Sequence, residues 1–174
     1  MRSNYALLLL VLVTAMLATA QQSSATSDPN IYSKLLRALG YADIFRASLV
    51  RVCLALPNEG RNATIISLCK QPTSISEDLI ESVAEPLMKR FVPLGEADLA
   101  FKFWSSSEGA SISQTLVRET RENNPTLLKP SQLNLLTEAN DSSYGRALSR
   151  FAKDKAAAVE IMKAVAEKLP SPSN

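Results

Sequence analysis

The sequence predicts an all-α protein, a packed bundle of short and medium helices. Three observations carry this expectation. From Ile31 to Leu169 apolar residues recur at intervals of three and four, the spacing that lines one face of a helix. Nowhere does the alternating Val/Ile/Thr pattern of a half-buried strand occur. Ser-x-x-Glu starts and proline stops punctuate the chain at helix-length intervals.

The elements follow in order. Ile31, Leu35, Leu36 and Leu39, then Ile44, Phe45, Leu49, Val52, Cys53 and Leu56, lie at helical spacing, with Gly40 as a break. Pro57-Asn58-Glu59-Gly60 reads as a turn into a shorter helix from about Asn62 to Lys70, ended by Gln71-Pro72. Ser74-Ile75-Ser76-Glu77 is a capping box, opening a helix to about Phe91. Leu79, Ile80, Val83, Leu87 and Met88 face inward on it, and Pro86 should kink it. After Pro93 and Gly95, Glu96 and Asp98 put negative charge on the first turn of another helix. That helix carries Leu99 and Phe103 inward and Trp104 near the rim, with Phe101 pointing elsewhere. Ser105-Ser106-Ser107-Glu108 is a second box, starting a helix that Asn124-Pro125 stops. Ser131 caps a helix holding Leu133, Leu135 and Leu136. The last helix runs from about Gly145 to Leu169, with Leu148, Phe151, Val159, Met162, Val165, Ala166 and Leu169 on one stripe.

The N-terminus has a different character. Met1 and Arg2 precede an almost wholly apolar run from Tyr5 to Leu17, then Ala18-Thr19-Ala20. This is the pattern of a cleavable secretory signal peptide spanning residues 1–20, too short for a membrane anchor. Residues 21–30 read as a flexible leader, 31–169 as a single helical domain, and 170–174 as a disordered Pro/Ser tail. The expected product is exported, periplasmic or extracellular, with no transmembrane segment after cleavage.

Composition removes several classes of chemistry. The chain has 174 residues and no histidine, which excludes a Ser-His-Asp triad and imidazole metal ligation. Five scattered glycines form no phosphate-binding loop. Cleavage after Ala20 takes one of the 19 cations and leaves a net charge of one positive unit. So even a balance gives no footprint for nucleic acid or anionic lipid. No cofactor or metal is expected.

Cys53 and Cys69, the two cysteines, each sit on an apolar stripe on either side of the Pro57–Gly60 turn. In an exported protein such a pair is more often a disulfide than two free thiols, and no C-x-x-C spacing marks a redox dithiol. Asn62-Ala63-Thr64 and Asn140-Asp141-Ser142 match the N-glycosylation pattern.

An offset of 36 residues superimposes Leu99 on Leu135, Ser106 on Ser142, Gly109 on Gly145 and Ile112 on Leu148. Each copy reads as helix, tight Ser-x-x-Gly junction, helix, implying two similar hairpins that complete one another's buried face. The segment Phe103-Trp104-Ser105-Ser106-Ser107-Glu108-Gly109, preceded by Leu94-Gly95-Glu96-Ala97-Asp98-Leu99, resembles the F-Y-x-S-P-x-G segment of domain-of-unknown-function family 2059. Leu35–Gly40 resembles that family's opening helix, and Ser142-x-x-Gly145 its weaker C-terminal echo. Ser107 stands where proline is usual, and Ala139 where the second copy would carry an aromatic. The resemblance implies a small exported helical domain, mainly bacterial, and no particular chemistry.

Candidate chemistry is sparse. Ser67-Leu68-Cys69-Lys70 matches S-x-x-K without its companion motifs. Glu77, Glu81 and Glu85 recur every four residues, with Asp78 adjacent; two such carboxylates serve glycoside hydrolysis, but this spacing is also that of a solvated helix face. Lys153, Lys155, Lys163 and Lys168 lie opposite the last helix's apolar stripe, as on any core-facing helix. The leading expectation is a non-enzymatic binding or interaction module of the cell envelope, its partner an unknown protein or envelope component. The alternatives are a small cell-wall hydrolase using Glu77, Glu81 or Glu85, and an inhibitor or immunity-type protein that plugs a partner's cleft.

Overall fold

The computed structural model describes residues 28–57 and 62–169; the expected signal peptide, most of the expected leader and of the expected Pro57–Gly60 turn, Arg61 and the tail from Pro170 lie outside them. Among the described residues all regular structure is helical: α1 (Ile31–Ala38), α2 (Tyr41–Ala55), α3 (Ala63–Cys69), α4 (Glu77–Phe91), α5 (Leu94–Trp104), α6 (Ser107–Glu122), α7 (Pro130–Asp141), α8 (Ser143–Lys153) and α9 (Lys155–Lys168).

The helices begin where a side chain satisfies a free backbone N–H, and in several places this moves the start from the expected residue. Ser76, not Ser74, caps α4, accepting from Leu79 N at 3.2 Å. Ile75 before the cap and Ile80 four residues into the helix are both buried, the pair of positions that a hydrophobic staple joins. Burying Ile75 fixes the register and leaves Ser74 bonded to the Gln71 carbonyl. Ser106, not Ser105, caps α6. Helix α7 starts at Pro130 rather than after Ser131, with Gln132 Oε1 accepting from Lys129 N at 2.9 Å. The end of the expected leader is also built in. Asp28 accepts from Asn30 N and pairs with Lys34, and its carbonyl accepts from Ile31 N.

The expected single helix from Gly145 to Leu169 is two helices. Asp154 adopts an extended conformation and its carboxylate accepts from Ala157 N at 2.7 Å, so it ends α8 and caps α9. The break resets the phase of the apolar stripe. In α9 the buried residues are Ala157, Ile161 and Val165, and Val159 is 58% exposed.

Helix α4 lies at the centre, burying Ile80, Val83, Ala84, Leu87 and Met88 against α1, α2, α8 and α9. Helix α1 packs on α4 and α5 through Ile31, Leu35 and Leu36. The Tyr32 hydroxyl donates to the Val92 carbonyl at 2.9 Å, tying α1 to the end of α4. Between α1 and α2 the chain turns at Gly40, whose φ of 63° is left-handed; a Cβ there would also lie 2.8 Å from Val117 Cγ2. Helix α2 packs on α6, and α9 covers α3 and α4.

Cys53, in the last turn of α2, and Cys69, the last residue of α3, stand at disulfide distance with Cα atoms 5.6 Å apart. Their sequence separation is 16 residues. Closing a loop of that size is worth about 3 kcal/mol in the chain-entropy account. Reduction, or Cys53→Ser with Cys69→Ser, is therefore expected to lower the melting temperature by roughly 6–12 °C. Thermal melts with and without reductant, beside a thiol titration of the native protein, check this.

Candidate binding cavity

Two helix corners 36 residues apart share one geometry. At the first, Ser106 Oγ accepts from Gly109 N at 3.1 Å; at the second, Ser142 Oγ accepts from Gly145 N at 3.0 Å. Both serines have nearly the same backbone, φ −69° with ψ 164° and 166°. The glycine then lies directly on the end of the preceding helix. A Cβ on Gly109 would lie 2.1 Å from the Phe103 carbonyl oxygen, and one on Gly145 would lie 1.9 Å from that of Ala139. Both distances are far inside van der Waals contact with backbone, which cannot rotate away. That is the physical reason for serine and glycine three apart.

The corners bring α5 against α8 and α6 against α7. Ser143 Oγ donates to Glu96 Oε2 at 2.7 Å and Gln132 Nε2 to Ser111 Oγ at 3.1 Å, linking the two hairpins. Phe103 meets Trp104 edge-on at 5.2 Å and Tyr144 at 6.1 Å.

Between the hairpins and α2 lies a cavity of about 460 Å³. Helix α5 contributes Trp104, α6 Leu116, α7 Leu136, Ala139 and Asn140, and α8 Tyr144, Gly145, Leu148, Phe151 and Ala152. Leu39, Tyr41, Ile44 and Met88 close the opposite side, and Ala158 and Ile161 come from α9. Two pairs of wall residues, Trp104 with Asn140 and Leu116 with Ala152, occupy positions related by the same 36-residue offset. The cavity thus sits between the corresponding faces of the two hairpins. A larger hollow of about 1270 Å³ runs along α2, but Asp43, Arg46, Arg51 and Arg121 line it as an open, charged trough.

The cavity wall is apolar apart from a few polar tips. Trp104 is 6% exposed, and its indole N–H is buried with no acceptor among the described residues. An unsatisfied buried donor of this kind costs about 1–3 kcal/mol. The expected rim position of Trp104 is therefore overturned, and Leu99, expected inward, is 47% exposed. Helix α5 is rotated so that Ala97, Ala100 and Trp104 face the core, small residues letting α1 and α8 approach closely. Tyr41 stacks at 5.8 Å on Phe151, and its hydroxyl makes no hydrogen bond among the described residues. Burial pushes its phenol up to about 12, so it is a neutral donor at physiological pH. Sequence reasoning singled out Phe103 and Trp104 and placed Phe151 on an apolar stripe, but it did not single out Tyr41 or Tyr144. An excess of aromatics on α2 and α8 beyond core needs was the available signal.

The three glutamates do not line this cavity. Glu77 is exposed at the start of α4. The Glu81 side chain is 4% exposed rather than solvated, because Arg37 Nε reaches across from α1 to both its oxygens at 3.1 and 2.9 Å. Burial pushes the Glu81 carboxyl above its ordinary value, outweighing the downward pull of Arg37. Arg37 also donates to Asp78 at 3.0 Å. Glu85 accepts from Lys89 Nζ and Ser33 Oγ, each at 2.6 Å, and these bonds hold it below its ordinary value. The sequence expected an acidic outer face; instead Arg37 and Ser33 of α1 bind the carboxylates of Asp78, Glu81 and Glu85, fastening α4 to α1. Ser67 and Lys70 lie at the end of α3, away from the cavity. No group of three or more potential ligands that would hold a metal ion occurs among the described residues. Compared with protein-family models, curated proteins and solved structures, the chain matches none.

Two predictions follow from these contacts. Gly109→Ala and Gly145→Ala should each destabilise by about 2 kcal/mol, because overpacking against backbone outweighs the helix preference for alanine. Gly95→Ala, with nothing within 4 Å of the added methyl, should stabilise by about 0.5–1 kcal/mol. Denaturant melts of the three variants read the opposite signs.

At pH 7, Arg37→Met should lower the melting temperature more than Glu81→Gln does. The first strands a buried carboxylate; the second leaves an arginine that reaches water and Asp78. A carboxyl whose folded value is raised stabilises most below its ordinary 4.5 and loses that contribution as pH rises. The gap between the two variants should therefore close as pH falls to about 4, which melts across that range measure.

Proposed function

We propose that the protein is an exported, non-enzymatic helical module of the cell envelope that works by binding, with the cavity between its two hairpins as the site. One observation carries the reading: a partly enclosed space of about 460 Å³ with mainly aliphatic and aromatic walls and the neutral polar side chains of Tyr41, Asn140 and Tyr144 among its lining. Binding sites for small molecules have this composition, apolar walls with a few placed polar groups. A cavity needed only for packing would have closed, since interiors fill to crystal-like density.

Export is supported by the secretory pattern of residues 1–20 and by the Cys53–Cys69 pair at bonding distance, which suits an oxidising compartment. No helix among the described residues is long and apolar enough to cross a membrane. The resemblance of Phe103–Gly109 to domain-of-unknown-function family 2059 points the same way. The hydrolase alternative is less favoured because Glu81 is paired with Arg37 of α1, Glu85 is held by Lys89 of its own helix and Ser33 of α1, and neither borders the cavity.

The neutral dye N-phenyl-1-naphthylamine, which brightens in apolar surroundings, tests the site. Ala152 and Ala158 line the cavity yet are exposed, placing them at its mouth. The purified protein should brighten the dye, and Ala152→Phe with Ala158→Phe should abolish the response while leaving the circular dichroism unchanged. No response in the native protein, or an equal one in the blocked variant, refutes the site.

A further inference from the structure

The same cavity specifies the class of molecule it takes, an inference that rests on the binding reading above. Among the described residues its wall contains no Lys, Arg, Asp or Glu. A charged ligand head would enter with its hydration stripped and no counter-ion to replace it, which strongly disfavours ions. The polar side chains at hand, Tyr41, Asn140 and Tyr144, are neutral, and each can donate a hydrogen bond. Trp104 lines the space, while its indole N–H is shut off from solvent and has no partner among the described residues. Tyr41 keeps its proton well above neutral pH and has no acceptor of its own among the described residues. A ligand oxygen can accept from these hydroxyl and amide groups, and the lack of a counter-ion in the wall favours an uncharged ligand.

The shape adds a second constraint. The 460 Å³ space extends from Met88 and Ile161 in the core to Ala152 and Ala158 at the surface. Aliphatic and aromatic side chains border it along this length, suiting a flexible hydrocarbon body better than a flat polar ring. We infer that the site binds an uncharged lipid-like molecule, a hydrocarbon bearing a single hydroxyl or carbonyl oxygen, and rejects its ionised counterparts.

The experiment uses a matched pair of probes, 1-decanol and decanoate, competing at pH 8 against N-phenyl-1-naphthylamine in the purified protein. Decanol should displace the dye, and decanoate should need at least about a hundredfold higher concentration. Trp104 is the single tryptophan, so its emission should shift on adding decanol and stay unchanged with decanoate. Tyr41→Phe keeps the ring and removes the donor. It should weaken decanol about fivefold while dye binding and the melting temperature stay near native.

The failures separate. If the dye itself does not bind, the cavity reading falls and this inference with it. If the dye binds and the two probes compete equally, the site is a general hydrophobic pocket and the ligand class assigned here is wrong. If decanol is preferred but neither Tyr41→Phe nor Trp104 emission responds, the acceptor requirement is overturned.

Discussion

The arrangement of the C-terminal half depends on one close approach, the seating of Gly109 and Gly145 on a carbonyl in the last turn of the helix before each, Phe103 and Ala139. With a Cβ excluded, the following helix starts almost in contact with the preceding one, and the serine three residues earlier satisfies the N–H that this crowding would strand. The corner angle is thereby set by backbone rather than by flexible side chains. Because the same corner occurs twice, α5 with α6 and α7 with α8 are similar units, and they meet as α5 on α8 and α6 on α7. The cavity is the space enclosed between two units of similar shape and α2.

Ala139 explains why that space stays open. It corresponds, at the 36-residue offset, to Phe103, whose ring fills its surroundings against Trp104 and Tyr144. Ala139 borders the cavity and is itself buried. An aromatic there would project where the open volume now lies. The departure from a perfect repeat and the opening of the cavity are thus one event at one position. The tryptophan follows the same logic. A buried indole N–H without an acceptor is a standing penalty in the isolated protein. It is tolerated because the surrounding packing of Ala97, Ala100 and Leu36 on neighbouring helices fixes α5 regardless.

The helical class was legible because every core helix keeps its three-to-four periodicity, and the corners were legible because serine and glycine leave a spacing that can be read without coordinates. What sequence could not convey was local competition. Ser74 and Ser76 are equally good caps in isolation, and burial of Ile75 decides between them. Asp154 looks like one more polar residue on an outer face until its carboxylate captures Ala157 N, after which the stripe through Val159 loses its phase. Glu81 follows the spacing of a solvated face, yet a partner 44 residues earlier in the chain covers it. Each difference is a long-range or either-or choice that periodicity does not encode. The cavity belongs to the same category, since its wall draws on α2 and α4 through α9, helices that periodicity alone cannot assemble.

The distribution of charge gives the binding reading its physical coherence. The ion pairs Arg37–Glu81, Lys89–Glu85 and Arg90–Glu160 join or brace helices at the edges of α1, α4 and α9. The Glu81 carboxylate is buried and depends on Arg37, whereas an exposed pair such as Arg90–Glu160 contributes little and chiefly fixes which helices meet. These pairs keep formal charge away from the cavity wall, where even a partly desolvated ion would be expensive. A site that handled a charged substrate would need the opposite arrangement, at least one ionised group at the wall to meet its counterpart. The cavity instead gathers hydrocarbon, neutral polar side chains and a small residue between the two hairpins, with no charged side chain among its described lining. Affinity for an uncharged, oxygen-bearing hydrocarbon follows from that division more directly than any chemistry that must make or stabilise an ion.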